Sequence, residues 1–171
     1  MLSEDDSLGF KSAGHRLVYE ELEELLGSGD VALDVGCGNG SFLERIVSDF
    51  GVKGMGIDPS ASIGESSETE CNRLHAENVD ELEEDFDIVY SINSLHHFGD
   101  VEAFFKNVDA NLKPEGKIII ADWKEGASTG IPESYYSGEY IESVLTKSGF
   151  KTIKSRELEK QFFLVAGSEL N

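Results

Sequence analysis

Two acids and three glycines hold the densest chemistry in this chain. Asp34 stands two residues before Gly36, and Gly36, Gly38 and Gly40 follow at intervals of two, with Cys37 and Asn39 between them. Glycine at such positions admits positive φ and lets a ligand approach bare backbone. A dinucleotide fingerprint, G-x-G-x-x-G, would need its third glycine where Ser41 stands. An acid beside the loop repels a pyrophosphate and receives a cationic amino group. The loop therefore suits a ligand with an ammonium end better than one with phosphates. A second acid, Asp58, closes Gly54-Met55-Gly56-Ile57. Further along stand His96, His97 and Asp122, side chains able to carry or relay a proton.

The elements that must position these groups are legible around them. Val31–Val35 is a short apolar run that reads as a strand buried on both faces. Phe42, Leu43, Ile46 and Val47 then recur at helical spacing, to about Phe50, where Gly51 stops the helix. Strand, glycine turn and helix make a nucleotide-type site at the carboxyl end of a parallel strand. Before it, Leu17, Val18, Leu22, Leu25 and Leu26 predict an amphipathic helix over 12–26, with glutamates on its other face. Residues 1–9 read as frayed and polar. After the turn, strands are expected at Val52–Ile57, Cys71–His75, Asp85–Ser91 and Lys117–Ala121. Ser91-Ile92-Asn93 would lie just beyond the fourth. Pro59–Glu70 is expected to keep only a turn or two. Asp100 is a cap for a helix over Val101–Leu112, and Pro114-Glu115-Gly116 reads as a turn. Lys124–Tyr136 reads as a loop. Ser137 caps a helix through Lys147, with Tyr140, Ile141, Val144 and Leu145 inward. Phe150–Arg156 and Gln161–Ala166 close the chain as two strands.

Asp34-x-Gly36-x-Gly38-x-Gly40 resembles the first motif of class I S-adenosylmethionine-dependent methyltransferases. The likeness continues through Gly54-Met55-Gly56-Ile57-Asp58, Ala76-Glu77-Asn78, Phe86–Ser91, Ser94-Leu95-His96-His97-Phe98 and Leu112–Lys117. It covers about Asp30 to Trp123 closely and is nearest to the ubiquinone- and menaquinone-biosynthesis group. The resemblance implies an α/β fold: a Rossmann-like, doubly wound, seven-stranded, mainly parallel sheet in the order 3-2-1-4-5-7-6, with helices on both faces. It implies S-adenosyl-L-methionine as cofactor, S-adenosyl-L-homocysteine as product, and a small-molecule acceptor. Asp34, Gly36, Gly38, Asn39 and Gly40 would hold the aminoacyl end. Asp58, with Pro59 after it, would accept bonds from the ribose hydroxyls. Ala76 and Glu77 would lie by the adenine. His75 stands where relatives carry an aspartate for the adenine amino group, so that contact passes to an imidazole. Ser91 and Ile92 would border the cofactor crevice. His96, His97 and Asp122 are candidates for catalysis, although the two histidines could equally pack a helix start. Trp123, Tyr135 and Tyr136 fall where relatives build the acceptor pocket. An N-terminal helix covers the cofactor in such proteins; His15 and Arg16 at its start read first as surface residues, with the methionine carboxylate as the alternative partner.

Composition bounds the rest. The chain has 171 residues and reads as a single methyltransferase domain over 1–171, its cover helix at 12–26 and its core at 30–167. With 34 acids against 14 bases, the net charge of −20 repels a phosphate backbone and disfavours direct nucleic-acid binding. No run suggests a membrane span, and the acidic start lacks a signal-peptide pattern. A cytoplasmic protein is expected. Two cysteines give neither a disulfide framework nor zinc spacing, and four histidines without a Cys-His or acidic cluster at ligand spacing predict no metal site. Two other classes stay open. One is a non-catalytic cofactor-binding or regulatory subunit. The other is a nicotinamide oxidoreductase, which the glycine spacing and Asp34 oppose. A homodimer or a partner subunit is left open.

Overall fold

The computed structural model describes residues 9–60 and 69–169. The expectations for the first eight residues and for most of Pro59–Glu70 fall outside these.

The strands are β1 (Val31–Val35), β2 (Lys53–Ile57), β3 (Thr69–Asn72), β4 (Phe86–Ile92), β5 (Leu112–Trp123), β6 (Phe150–Glu157) and β7 (Gln161–Ser168). They form one seven-stranded sheet in the order β3-β2-β1-β4-β5-β7-β6. Pairing is parallel from β3 to β5, and β7 is antiparallel to both β5 and β6. Every residue of β1 is buried, as a strand covered on both faces requires.

The helices are α1 (Ala13–Leu25), α2 (Ser41–Phe50), α3 (Val101–Asn111) and α4 (Gly138–Lys147). Their caps follow the sequence signals. Ser12 accepts the His15 amide, Asp100 that of Ala103 and Ser137 that of Tyr140, each satisfying an orphan donor. Two cores result. One packs Phe104, Phe105, Val108, Ile141, Leu145 and Phe150 on one face of the sheet. The other packs Val18, Leu22 and Ile46 against Tyr90, Ile119 and Phe163 on the opposite face.

Boundaries differ in places. Strand β3 runs Thr69–Asn72, earlier than Cys71–His75, and His75 precedes a 3₁₀ segment over Ala76–Glu81. Ser91 and Ile92 lie within β4, not beyond it. The expected turn at Pro114-Glu115-Gly116 falls inside the span of β5, where Glu115 takes φ +68° and the pairing with β4 shifts register. Tyr140 was expected inward but is 52% exposed; it stacks on Tyr136 while Ile141, Val144 and Leu145 face the core.

Helix α2 sits close on β2 because Gly54 lacks a side chain. A Cβ there would meet Val47 Cγ2 at 2.4 Å and Leu43 Cδ1 at 2.9 Å. Overpacking of this kind costs about 1–3 kcal/mol. Gly54→Ala is therefore expected to lower the melting temperature by about 4–8 °C, for a loss of about 2 kcal/mol. Unchanged melting would show that α2 can move off the sheet freely.

Candidate functional site

The glycine turn after β1 is fastened to the tip of β2. Gly36 N and Cys37 N both donate to Ile57 O, at 2.8 and 3.2 Å. Gly36 takes φ +86° and Gly40 takes φ +81°. A Cβ on Gly36 would meet Ser94 Oγ at 2.3 Å, so only glycine fits. Two cavities open on either side of this turn, and Gly36 lines both.

The first, about 300 Å³, has apolar walls from Ile57, Leu74, Ala76 and Phe98, with the Asp58 carboxylate among them. Pro59, His75 and Glu77 also line it. Asp58 is braced from two sides. Its Oδ2 accepts from Gly38 N at 3.0 Å, and its Oδ1 accepts from Ser60 N at 2.9 Å and Ser60 Oγ at 2.8 Å. Burial pushes its pKa up, but these three donors outweigh burial and hold it below the ordinary carboxylate value. Three of its roughly four acceptor positions are thus filled. A diol would take the fourth and displace the Ser60 hydroxyl.

The second cavity, about 390 Å³, is bordered by Asp34, Gly38, Asn39, Phe42, Lys11 and His15. Ile92 borders it too, whereas Ser91 is fully buried and its hydroxyl has no partner. Asp34 is 5% exposed. Burial, with the nearby Asp58 charge, raises its pKa from 3.8 to about 7. The Tyr90 hydroxyl opposes that rise, yet it has no partner at hydrogen-bonding geometry, so the pairing is loose. Burial, helped by Lys11, lowers His15 from 6.5 to about 4, which keeps the imidazole neutral. Opposite signs at Asp34 and Lys11 complement a zwitterion. Sequence reasoning missed Lys11. The one signal for it is its place directly before the Ser12 cap.

Helix α1 is pinned over this region by Gln161. Its Oε1 accepts from Gly14 N at 2.9 Å, and its Nε2 donates to Ser12 Oγ at 3.1 Å and Asn93 Oδ1 at 2.8 Å. Arg16 pairs with Glu20 along the helix. Beyond α1 a third cavity, about 620 Å³, is lined by Trp123, Lys11, Lys160, Ser128 and Thr129. Trp123 lines this cavity, whereas Tyr135 and Tyr136 do not. Tyr135 instead meets His96 edge-on at 4.9 Å and bonds Thr129 Oγ1 at 2.6 Å.

His96, His97 and Asp122 do come together. Asp122, fully buried at the end of β5, accepts from His96 N at 2.9 Å, Trp123 N at 2.7 Å and His96 Nδ1 at 2.9 Å. On the far side of the ring, His96 Nε2 lies 3.1 Å from Glu133 Oε2. Burial lowers the His96 pKa, but the Asp122 and Glu133 carboxylates outweigh it and raise it above the ordinary value. Glu133 was missed, because nothing in a polar loop marks one glutamate among several.

The chain matches a family described as a methyltransferase domain over residues 10–155. It is 28% identical over 182 residues to phosphoethanolamine N-methyltransferase 1 of Triticum aestivum, covering 93% of this chain and 36% of that protein. The chain thus spans little more than a third of that relative's length. It is 31% identical over 115 residues to a ubiquinone biosynthesis O-methyltransferase of Bradyrhizobium diazoefficiens, covering 60% of this chain and 45% of that one. In fold it is similar to a SAM dependent methyltransferase from Aquifex aeolicus, with a TM-score of 0.72, 19% identity and 97% of each chain covered.

Proposed function

The chain belongs to the methyltransferase-domain family matched over residues 10–155, and from that premise we propose that it binds S-adenosyl-L-methionine and transfers the methyl group to a small-molecule acceptor. The observation that carries this reading is the pair of cavities meeting at Gly36, one bearing Asp58 among apolar walls, the other Asp34 opposite Lys11. The two suit the nucleoside and the aminoacyl halves of one molecule. The names of the relatives, which methylate phosphoethanolamine or act in ubiquinone biosynthesis, support a small acceptor.

When bound, the sulfonium supplies an activated methyl group. The residues of the chain then bind and orient. Asp58 takes the ribose hydroxyls, exchanging the Ser60 hydroxyl for one of them. Asp34 takes the ammonium, and Lys11 and the open amides of the glycine turn take the carboxylate. Ala76 and His75 face the adenine. Holding donor and acceptor in line accounts for most of the acceleration such a reaction needs. His96, tied through Nδ1 to Asp122 and facing Glu133 through Nε2, orders the loop beside the acceptor side. Trp123 walls the acceptor side.

Among the described residues no helix is long and apolar enough to cross a membrane. A cytoplasmic setting suits the two thiols Cys37 and Cys71, unjoined at 3.9 Å. The acceptor side borders the loop holding Ile131, 59% exposed, and a second copy or a partner subunit would cover it.

The test is calorimetry with S-adenosyl-L-homocysteine, followed by turnover with the methyl donor and a panel of small amines, phenols and carboxylates. Binding and formation of S-adenosyl-L-homocysteine are expected. No heat would remove the cofactor reading. Heat without turnover across the panel would remove the enzymatic one.

A further inference from the structure

His96, His97 and Glu133 also make a constellation that methyl transfer does not require. From its geometry we infer a site for a single divalent transition ion of borderline softness, Zn²⁺ foremost. The inference does not depend on the identity of the methyl donor.

A carboxylate can only accept, so the His96 Nδ1 that lies 2.9 Å from Asp122 carries the hydrogen. The lone pair of the neutral ring then sits on Nε2. That atom faces Glu133 Oε2 at 3.1 Å, acceptor toward acceptor. His97 Nε2 faces the other oxygen of the same carboxylate at 3.4 Å. Either pair needs a positive centre or a donated hydrogen between its atoms. A second proton on His96 and an Nε2 hydrogen on His97 would meet the two needs separately; one ion meets both at once. The ligand atoms of the three residues fall within 4.8 Å of one another.

The spacing fits an ion. Nitrogen and oxygen donors lie about 2.0–2.2 Å from Zn²⁺. At angles between a right angle and a tetrahedral one, two such donors are roughly 3.0–3.5 Å apart, the range of the 3.1 and 3.4 Å separations. Asp122 supplies the outer carboxylate that fixes the tautomer of a ligating imidazole. Two imidazoles and a carboxylate are a donor set that zinc shares with other late divalent ions. Three protein ligands leave a position open for water or another oxygen donor. Glu133 belongs to the 124–136 loop and the histidines to the 3₁₀ turn Leu95–His97, so the ion would also tie that loop to the end of the sheet.

The experiment titrates chelator-treated full-length protein with Zn²⁺ by calorimetry and follows Co²⁺ by its visible absorption. One ion per chain is expected. Glu133→Gln and His97→Gln should each weaken it at least tenfold, while Cys71→Ser leaves it unchanged. His97 is 60% exposed and Glu133 lies in a loop, so both variants should keep the parent's circular dichroism and thermal melting. The site is overturned if no ion binds. It is also overturned if affinity is unchanged in both ligand variants, which would place the ion on other surface acids, or if it depends on Cys71. Titration of the same variants with S-adenosyl-L-homocysteine keeps failure here distinct from failure of the cofactor reading.

Discussion

Asp58→Ala is expected to weaken S-adenosyl-L-homocysteine binding about a hundredfold. A hydrogen bond to a charged group contributes about 1.5–3 kcal/mol. Two ribose hydroxyls on one carboxylate therefore supply roughly 3 kcal/mol, and each 1.4 kcal/mol is a factor of ten. The structure adds to that loss. Asp58 Oδ2 is the partner of Gly38 N, so the substitution also frees an amide of the glycine turn. Asp58→Asn retains one acceptor oxygen and should recover part of the affinity. Calorimetry at constant pH measures both. An alanine variant binding within twofold of the parent would show that Asp58 braces the turn and touches no ligand.

How far the site was legible depends on how local its signals are. The Asp34 turn was legible because every residue of β1 except Asp34 is apolar, and Gly36, Gly40 and Gly51 each take a conformation that other residues avoid. The caps at Ser12, Asp100 and Ser137 were legible for the same reason, since each bond spans three residues. Strand β3 was misplaced because four edge residues have little pattern of their own. Their bounds come from pairing with β2, where Thr69 lies opposite Gly54. The inward placing of Tyr140 failed because its ring found Tyr136 in the preceding loop. Glu133 reaches His96 across 37 residues, and Lys11 reaches the Asp34 cavity only because Gln161 draws the start of α1 onto β7. Such contacts are written in the closure of the chain, not in any window of it.

The buried acid gives the other large effect, in which stability and affinity move in opposite directions. Asp34 titrates near 7 in the folded chain against an ordinary 3.8, with burial the main cause. Below about pH 4 both states hold the proton and the carboxyl costs nothing. Between there and about 7 the unfolded chain ionises while the folded chain does not, so stability falls as pH rises, and the full cost persists above. Asp34→Asn removes this cost. It should raise the melting temperature of the ligand-free protein at about pH 8, by several degrees for a gain of about 2 kcal/mol, and change it little near pH 4. Cofactor affinity should move the other way. An ammonium group seated on Asp34 favours the ionised carboxylate, so binding releases a proton, and affinity of the parent should climb toward neutrality and level off above about pH 7. With asparagine that climb should vanish, leaving binding at least tenfold weaker at about pH 8 and nearly equal to the parent near pH 5. A simple misfolding variant would lose both properties together. A parent whose affinity is flat across this range, or a variant that melts lower at high pH, would show that Asp34 carries its charge already and faces no ammonium.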